Sequence, residues 1–324
     1  MSRAGTRRGG AGGACCAEPL DTGAGAGRVR YALRRGPVTM GSVIPLVLAA
    51  VAVVLAWIAP ALMARQRRLR RAPRAALVAW QAVTVGGILA ALLTAPAALP
   101  LVLDGDEPLE HVGWLAVAGL VSGAVLLRLL VSGHLVGTRL RAARADHRDL
   151  VDIIAHHDRE REQVRVLQHP TPTAYCIPGR NARVVISQGV LDALPPDELD
   201  AVVAHEQAHL EARHDLLLEF FAVAHEAVPR PFRSERALSE VRLLVEALAD
   251  RAAVRRSGEV ATARALVAIA RSRAPEAALG AGSTAPVRLK LLADGPHRAV
   301  SAVAYGYAAM ATLVPLVLLA VAWT

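Results

Sequence analysis

Two histidines and a glutamate stand close together in the segment Ala204-His205-Glu206-Gln207-Ala208-His209, which has the pattern H-E-x-x-H. Residues four apart in a helix differ by about 40° in azimuth, so both imidazoles project from one face and can hold one tetrahedral zinc ion. Glu206 lies to the side of this pair, where its carboxylate can reach a water molecule at the metal. The spacing predicts zinc ligands at His205 and His209 and a general base at Glu206.

A catalytic zinc site also needs a third protein ligand and an open fourth position. Glu246 and Asp250 follow in the segment E-A-L-A-D, where Glu246 is 37 residues after His209. This gap lets the first helix end, turn at 229–231 and return antiparallel. Glu246 is the predicted third ligand. Asp250, one turn later on the same face, is predicted to accept a ring N–H from a ligand histidine and fix its tautomer.

Four further side chains are ambiguous in the sequence. Arg288 suits stabilisation of an oxyanion or contact with a substrate as well as it suits pairing with an acid. His214 is about 140° round the helix from His209 and is expected at the surface or behind the ligands. His225, near a helix end, suits the helix dipole. Cys176 is expected to be a small apolar filler.

The composition favours a membrane protein over a soluble enzyme. Of 324 residues, 54% are hydrophobic, 20% charged and only 3% aromatic, and the formal net charge is +9. Three cysteines are too few for a disulfide scaffold. All but one of the 37 Lys and Arg residues are arginine, and most border apolar runs rather than a base-reading domain. We therefore expect no direct binding of nucleic acid.

Four apolar runs are long enough, at 1.5 Å per residue, to cross roughly 30 Å of hydrocarbon. The second is interrupted near Pro96 and Pro100, where we expect a break. The sequence thus predicts four transmembrane helices in contact with the lipid bilayer. The runs are 43–63, 75–103, 112–136 and 300–323.

The arginines are distributed unevenly around these runs, which predicts their orientation. The loop between the second and third runs has no Lys or Arg, whereas the first loop has six. Positive residues remain on the cytoplasmic side, so the N-terminus is expected outside and a domain at 138–298 inside. We expect a multi-pass protein of the cell membrane, with three spans in 40–137 and a fourth in 299–324. The six arginines are Arg65, Arg67, Arg68, Arg70, Arg71 and Arg74.

The predicted cytoplasmic domain combines helices with a small β-hairpin. Its charged first stretch, 140–167, is expected to continue the third span as a helix, and two β-rich runs around the turn 178–181 indicate the hairpin. The predicted fold class is a mainly α membrane protein with four transmembrane helices and a cytoplasmic α+β domain. Its remaining helices are expected at about 194–226, at 238–256 with a stop at Gly258, and in two pieces within 259–298.

Residues 1–39 are rich in Gly, Ala and Arg without helical or strand periodicity, which is typical of a disordered tail. Met40 stands immediately before the first apolar run. The alternative is therefore that translation starts at Met40 and that the tail is a mis-assigned start.

H-E-x-x-H followed by E-x-x-A-D resembles the gluzincin membrane peptidases, including the HtpX and prenyl-protein protease group, and more closely the BlaR/MecR-type antirepressor peptidases. The closer likeness rests on A-Y-C-I-P-G at 174–179, R-V-V-I-S at 183–187, and three spans before the motif with one after it. It covers about residues 40–324. Antibiotic-sensing members continue into a C-terminal sensor domain, whereas this sequence ends at Thr324, so sensing of β-lactams is not expected.

The resemblance implies a gluzincin-like domain with one Zn²⁺ per chain, ligated by His205, His209 and Glu246, with Glu206 as the base. It also implies a peptide substrate that lies along the hairpin as an added strand. The resulting hypothesis is an integral membrane zinc metalloendopeptidase. Its partner would be a protein or peptide substrate, either a cytoplasmic repressor or a membrane-tethered protein.

The alternative hypothesis is a non-catalytic membrane signalling or scaffold protein with a structural zinc site. A closed structural site needs a fourth protein ligand. In this sequence His214, His225 or Cys176 could supply it.

Overall fold

The structure is a computed structural model that describes residues 40–103, 108–158, 163–179, 181–272, 284–295 and 297–324. The predicted tail at 1–39 lies outside the described residues. In chain order the helices and strands are α1 (Met40–Val53), α2 (Ala59–Met63), α3 (Pro73–Leu103), α4 (Pro108–Ile154), β1 (Ala155–His157), β2 (Val164–Leu167), β3 (Ala174–Ile177), β4 (Arg183–Ser187), α5 (Gln188–Ala193), α6 (Pro196–Glu211), α7 (His214–Ala227), α8 (Glu235–Ser257), α9 (Glu259–Ser272), α10 (Ala285–Ala293) and α11 (Arg298–Ala322).

Four helical stretches are long and apolar enough to cross a membrane, as the sequence predicted. The first comprises α1 and α2, joined by a π-helical turn, and the others are α3, α4 and α11. The expected break near Pro96 and Pro100 was wrong, because α3 continues through both prolines. The Ser122 hydroxyl of α4 donates to the Ala91 carbonyl at 2.9 Å and accepts from the Ala95 N–H at 3.3 Å. Helices in a bundle tolerate proline when a neighbour satisfies the backbone groups in this way.

Small residues allow α3 to pack closely between α1 and α11. A Cβ atom on Gly86 would lie 2.1 Å from the Ala311 carbonyl oxygen, so only glycine fits there. Ala304, Ala308 and Ala311 of α11 are buried in the same apolar cluster. Such small residues bring helix backbones together in membrane bundles, where dispersion contacts replace the hydrophobic driving force.

Strands replace part of the helix predicted for 140–167. The helix α4 continues the third span as expected, but it ends at Ile154 and is followed by β1 and β2. β1 pairs antiparallel with β2, β2 pairs parallel with β4, and β4 pairs antiparallel with β3. The predicted hairpin is β3 and β4, which is confirmed. The strand order is β1-β2-β4-β3, which makes β3 the last strand on its side of the sheet.

The helix predicted over about 194–226 is in fact two helices, α6 and α7. The chain turns at Ala212 and Arg213, and Arg213 adopts the left-handed conformation with φ of 51°. This conformation is uncommon for residues other than glycine, and it starts α7 in a new direction at His214. The following helix α8 begins at the Ser234 cap and ends before Gly258, close to the predicted limits.

Helix α7, which follows the motif helix α6, and the residues just after α7 pack against the candidate spans. The Arg128 side chain of α4 donates to the Ala227 carbonyl at the end of α7 at 2.6 Å. Further along α4, Arg144 lies 3.2 Å from a carboxylate oxygen of Glu219 in α7. Trp57 of the first span meets Phe232 edge to face, with ring centroids 5.1 Å apart. The two contacts made by α4 lie more than four turns apart, so α7 packs along α4 over much of its length.

The arginine-rich turn between α2 and α3 contacts helix α8. Arg70 forms an ion pair with Glu240 of α8, and Arg251 of α8 donates to the Arg71 carbonyl at 3.1 Å. The arginine-rich turn and helix α8 therefore lie at the same end of the helix bundle. Assignment of that end to the cytoplasm remains a prediction.

Candidate metal centre

Three predicted ligands come together where α6 and α8 pack against each other. The Nε2 atoms of His205 and His209 are 3.2 Å apart. The Glu246 carboxylate oxygens lie 3.5 Å from His205 Nε2 and 3.6 Å from His209 Nε2. Zinc bonds of about 2.0–2.2 Å at tetrahedral angles would separate the ligand atoms by about 3.3–3.6 Å. The donor set and its spacing therefore fit a zinc ion.

The local sequence explains why these side chains converge. Pro196 and the acidic residues Asp197 and Glu198 form the first turn of α6, where a missing N–H and negative charge suit the helix terminus. Apolar residues before the motif are buried, including Val202 and Ala204. They fix the rotation of α6 so that the motif faces α8.

Asp250 and Arg288 form a buried network behind the ligands. Asp250 Oδ1 lies 3.0 Å from His205 Nδ1, which is the contact predicted to fix the tautomer of this ring. Arg288 of α10 donates to both Asp250 oxygens at 2.7 and 2.5 Å and lies 2.9 Å from Glu246 Oε2. The sequence left open whether Arg288 stabilises an oxyanion or pairs with an acid. The structure shows the pairing, and Arg288 positions the carboxylates of both Asp250 and Glu246.

His214 supports the second ligand histidine. It is buried, and its Nδ1 lies 3.1 Å from Nδ1 of His209. To bind a metal through Nε2, neutral His209 must carry its proton on Nδ1 and donate it to His214. His214 therefore lies behind the ligands and not at the surface, and the turn at Arg213 brings it there.

The charges at the site favour a cation. Burial opposes a charge on His205, but hydrogen bonds to Asp250 and Glu246 outweigh it and raise the pKa of His205 to about 9. Burial and the neighbouring charge of His205 lower the pKa of His209 to about 4. Burial also opposes ionisation of Glu246, yet the hydrogen bond from His205 and the charge of Arg288 lower its pKa to about 2. Glu246 is thus ionised, as a carboxylate ligand must be, and the proton on His205 would leave when a metal binds.

Glu206 points into a cleft of about 330 Å³ beside the three ligands. Cys176 of β3 lines the same cleft. Burial, followed by the nearby Glu206 carboxylate, raises the pKa of the Cys176 thiol to about 12. Because the thiolate is the metal ligand, this thiol is poorly suited to bind zinc.

A fourth protein ligand is not evident among the residues that the structure describes. Only His205, His209 and Glu246 form a cluster with metal-ligand spacing there. His214 binds the rear nitrogen of His209, and His225 is paired with Glu235 at 3.0 Å. The side of the cluster that faces the cleft is therefore open in the described structure, which distinguishes it from a closed four-ligand zinc site.

The opposite wall of the cleft is formed by α9, whose role the sequence did not reveal. Ala265, Leu266 and Ile269 contribute apolar surface there, and β3 contributes Ala174 and Tyr175. The sequence predicted a helical piece in this region but not which part of the domain it faces. The cleft therefore has a strand on one side, an apolar helix on the other, and the ligands at its base.

Replacing Asp250 by Asn is expected to lower the zinc affinity of the site by about 10- to 100-fold, because the amide holds His205 and Arg288 less firmly than a carboxylate does. Competition with a chromogenic zinc chelator measures the change. Asp197→Asn, which alters an exposed carboxylate on α6, is the matched control. Equal affinities for the two variants would contradict the positioning role of Asp250.

Comparisons with known proteins identify a relationship for part of the chain. Residues 142–229 match the family described as Peptidase family M48. Proteins named "Protease HtpX homolog" from Trichormus variabilis and from a Nostoc species are each 37% identical over 59 residues. This alignment covers 14% of the chain and 20% of each relative, so the chain matches about a fifth of the length of these curated proteins. No solved structure matches.

The matched segment contains the H-E-x-x-H motif but ends before Glu246. It is similar to peptidases, and together with the four apolar helices the comparisons support a multi-pass membrane protein with a metalloprotease-like segment.

Proposed function

We propose that this protein is an integral membrane zinc metalloendopeptidase. The observation that carries the proposal is the set of three ligand atoms 3.2–3.6 Å apart at the base of an open cleft, with Glu206 beside them. The similarity to Peptidase family M48 supports the same reaction class.

When bound, zinc would supply Lewis acidity toward the scissile carbonyl and lower the pKa of a water molecule to about 7. The protein's own residues provide the rest. Glu206 would accept the proton from the attacking water at its carboxylate and later deliver it to the leaving amine. Asp250 and His214 would hold the two ligand rings in the tautomers that present Nε2, while Arg288 would hold the Glu246 carboxylate in position.

The cleft suits an extended peptide. β3 is the last strand of its sheet, and Ala174, Tyr175 and Cys176 of this strand line the cleft. A substrate segment that paired with β3 would use main-chain hydrogen bonds and lie across the ligands. The apolar residues of α9 would contact its side chains. Such binding favours endopeptidase activity with low sequence selectivity.

The regulatory role and the orientation are further parts of this proposal. The likeness to BlaR/MecR-type antirepressor peptidases supports a cytoplasmic repressor or a membrane-tethered protein as the substrate. The arginine-rich turn supports a cytoplasmic site, because it contacts α8 at the same end of the bundle as the metal centre.

Metal removal tests the proposal. Purified full-length protein in detergent should cleave a reduced, carboxymethylated protein chain, lose this activity on treatment with a chelator, and regain it with zinc but not with magnesium. Mass spectrometry of the products gives the cleaved bonds. Cleavage that persists in metal-free protein would exclude a zinc peptidase.

A further inference from the structure

A second cleft, of about 300 Å³, lies between the arginine-rich turn and α10. We call it the basic cleft. Four arginines of Arg67–Arg71 line it together with Lys290, and Asp294 is the carboxylate among its lining residues. Exposed Pro286 adds apolar surface at its rim.

Positive charge remains in the basic cleft after its ion pairs are counted. Arg70 is paired with Glu240, and Arg71 lies 3.5 Å from Asp294. Within the described part of the chain, Arg67, Arg68 and Lys290 form no ion pair, and all three are exposed. Three cations without an ion-pair partner among the described residues therefore line one small cleft, and a bound anion would neutralise part of their charge.

The geometry of α10 separates this cleft from the metal centre. Residues two apart in a helix differ by about 200° in azimuth, so Arg288 and Lys290 project from opposite faces of α10. Arg288 reaches Asp250 and Glu246 on one face, while Lys290 lines the basic cleft on the other. Lys290 thus belongs to a second site and is not part of the catalytic network.

The basic cleft lies where the helices meet the membrane surface. The turn joins the end of α2 at Met63 to the start of α3 at Pro73, and both helices belong to candidate spans. The fourth span begins at Arg298, four residues after Asp294. Trp57 lies six residues before Met63 in the same candidate span, and aromatic rings of this kind mark the boundary of the hydrocarbon. This order places the cleft in the headgroup layer.

We propose that the basic cleft binds the phosphate of an anionic phospholipid headgroup. Arg67 and Arg68 bind the phosphate from the turn, and Lys290 binds it from α10. The apolar rim lies against the glycerol region of the same lipid. Phosphate oxygens accept paired hydrogen bonds from guanidinium groups, and the Lys290 ammonium adds a point charge.

Arginines beside membrane spans also have a simpler explanation, since they orient the helices during insertion. That effect depends on the number of charges near the spans. Under this explanation Arg65 and Arg74, which do not line the cleft, are equivalent to Arg67 and Arg68. A bound headgroup distinguishes the two pairs, and this difference provides the test.

The full-length protein, purified in a neutral detergent, is titrated with phosphatidylglycerol or phosphatidylcholine and followed by native mass spectrometry. We expect the wild type to bind a single phosphatidylglycerol in preference to phosphatidylcholine. Lys290→Gln should weaken this binding about fivefold and Arg67→Gln/Arg68→Gln by more than tenfold, at roughly fivefold for each cation removed. Arg65→Gln/Arg74→Gln, which removes the same charge from the same region, should leave it unchanged.

Three results would overturn the proposal. Equal losses in the two double variants would show that lipid binding follows the total charge of the turn and not the cleft, and unaltered binding in Lys290→Gln would exclude α10 from the site. Displacement of the lipid by low millimolar inorganic phosphate would indicate a site for a free anion instead. Lys290→Gln keeps every arginine beside the spans, so it tests the site even if the double variant fails to insert.

Discussion

Replacing Glu206 by Gln is expected to leave zinc bound and to lower the rate of peptide hydrolysis by about 10²- to 10⁴-fold, the range attributed to a well-placed general base. The amide has nearly the shape of the carboxylate but cannot accept the proton from water. None of the three ligands is altered, so the metal content should remain one zinc per chain. Elemental analysis and the rate of cleavage of an unfolded protein, measured on the same preparation, check both parts.

Gln207→Ala is the control, because it alters the neighbouring position of α6 outside the cleft lining. Retained cleavage with retained zinc in Glu206→Gln would contradict the assignment of the base. The same variant can identify the substrate, since proteins that accumulate uncut in cells with Glu206→Gln, compared with wild type, are candidates for it.

Replacing His209 by Ala is expected to have the largest effect on metal binding. Mutation of residues that support the ligands lowers zinc affinity by about 10- to 100-fold, and removal of a direct ligand should lower it further. Purified His209→Ala protein at micromolar concentration should therefore contain no zinc. Thermal unfolding should then no longer respond to added zinc, because a ligand stabilises a fold only through the affinity of its site. Zinc content after gel filtration and the unfolding midpoint with and without zinc provide the measurements.

His225→Ala is the matched control, because His225 is paired with Glu235 away from the cluster. The outcome also distinguishes a zinc peptidase from a non-catalytic protein with a structural zinc site. If Cys176→Ser or His225→Ala lost zinc as completely as His209→Ala does, the site would be closed and structural. Loss confined to the three ligands would agree with an open catalytic site.

The convergence of the candidate ligands could be predicted from the sequence because local geometry governs the key residues. His205 and His209 lie one helical turn apart, so their meeting required only that α6 be a helix. Glu246 and Asp250 required a second assumption, an antiparallel return of the chain, which the turn near Pro229 made reasonable. Asp250 accordingly lies where it was expected, beside His205 Nδ1.

Features that depend on tertiary contacts escaped prediction. The left-handed conformation of Arg213 carries no sequence signal comparable to a glycine, so α6 and α7 were expected to be one helix. β1 and β2 have only three and four residues, too short for a clear alternation, and β2 is stabilised by parallel pairing with the distant β4. The role of Arg288 stayed open because a lone arginine does not reveal its acid partners.

The continuous helix α4 has a consequence for the reach of the proposed peptidase. Its 47 residues extend about 70 Å, more than twice the roughly 30 Å of hydrocarbon, and α7 is fastened along it. Since α7 follows the motif helix α6 after a single turn, these contacts would hold the cleft at a set distance from the spans. A substrate anchored in the same membrane would therefore be cut at a characteristic number of residues from its own anchor, whatever the sequence at that point.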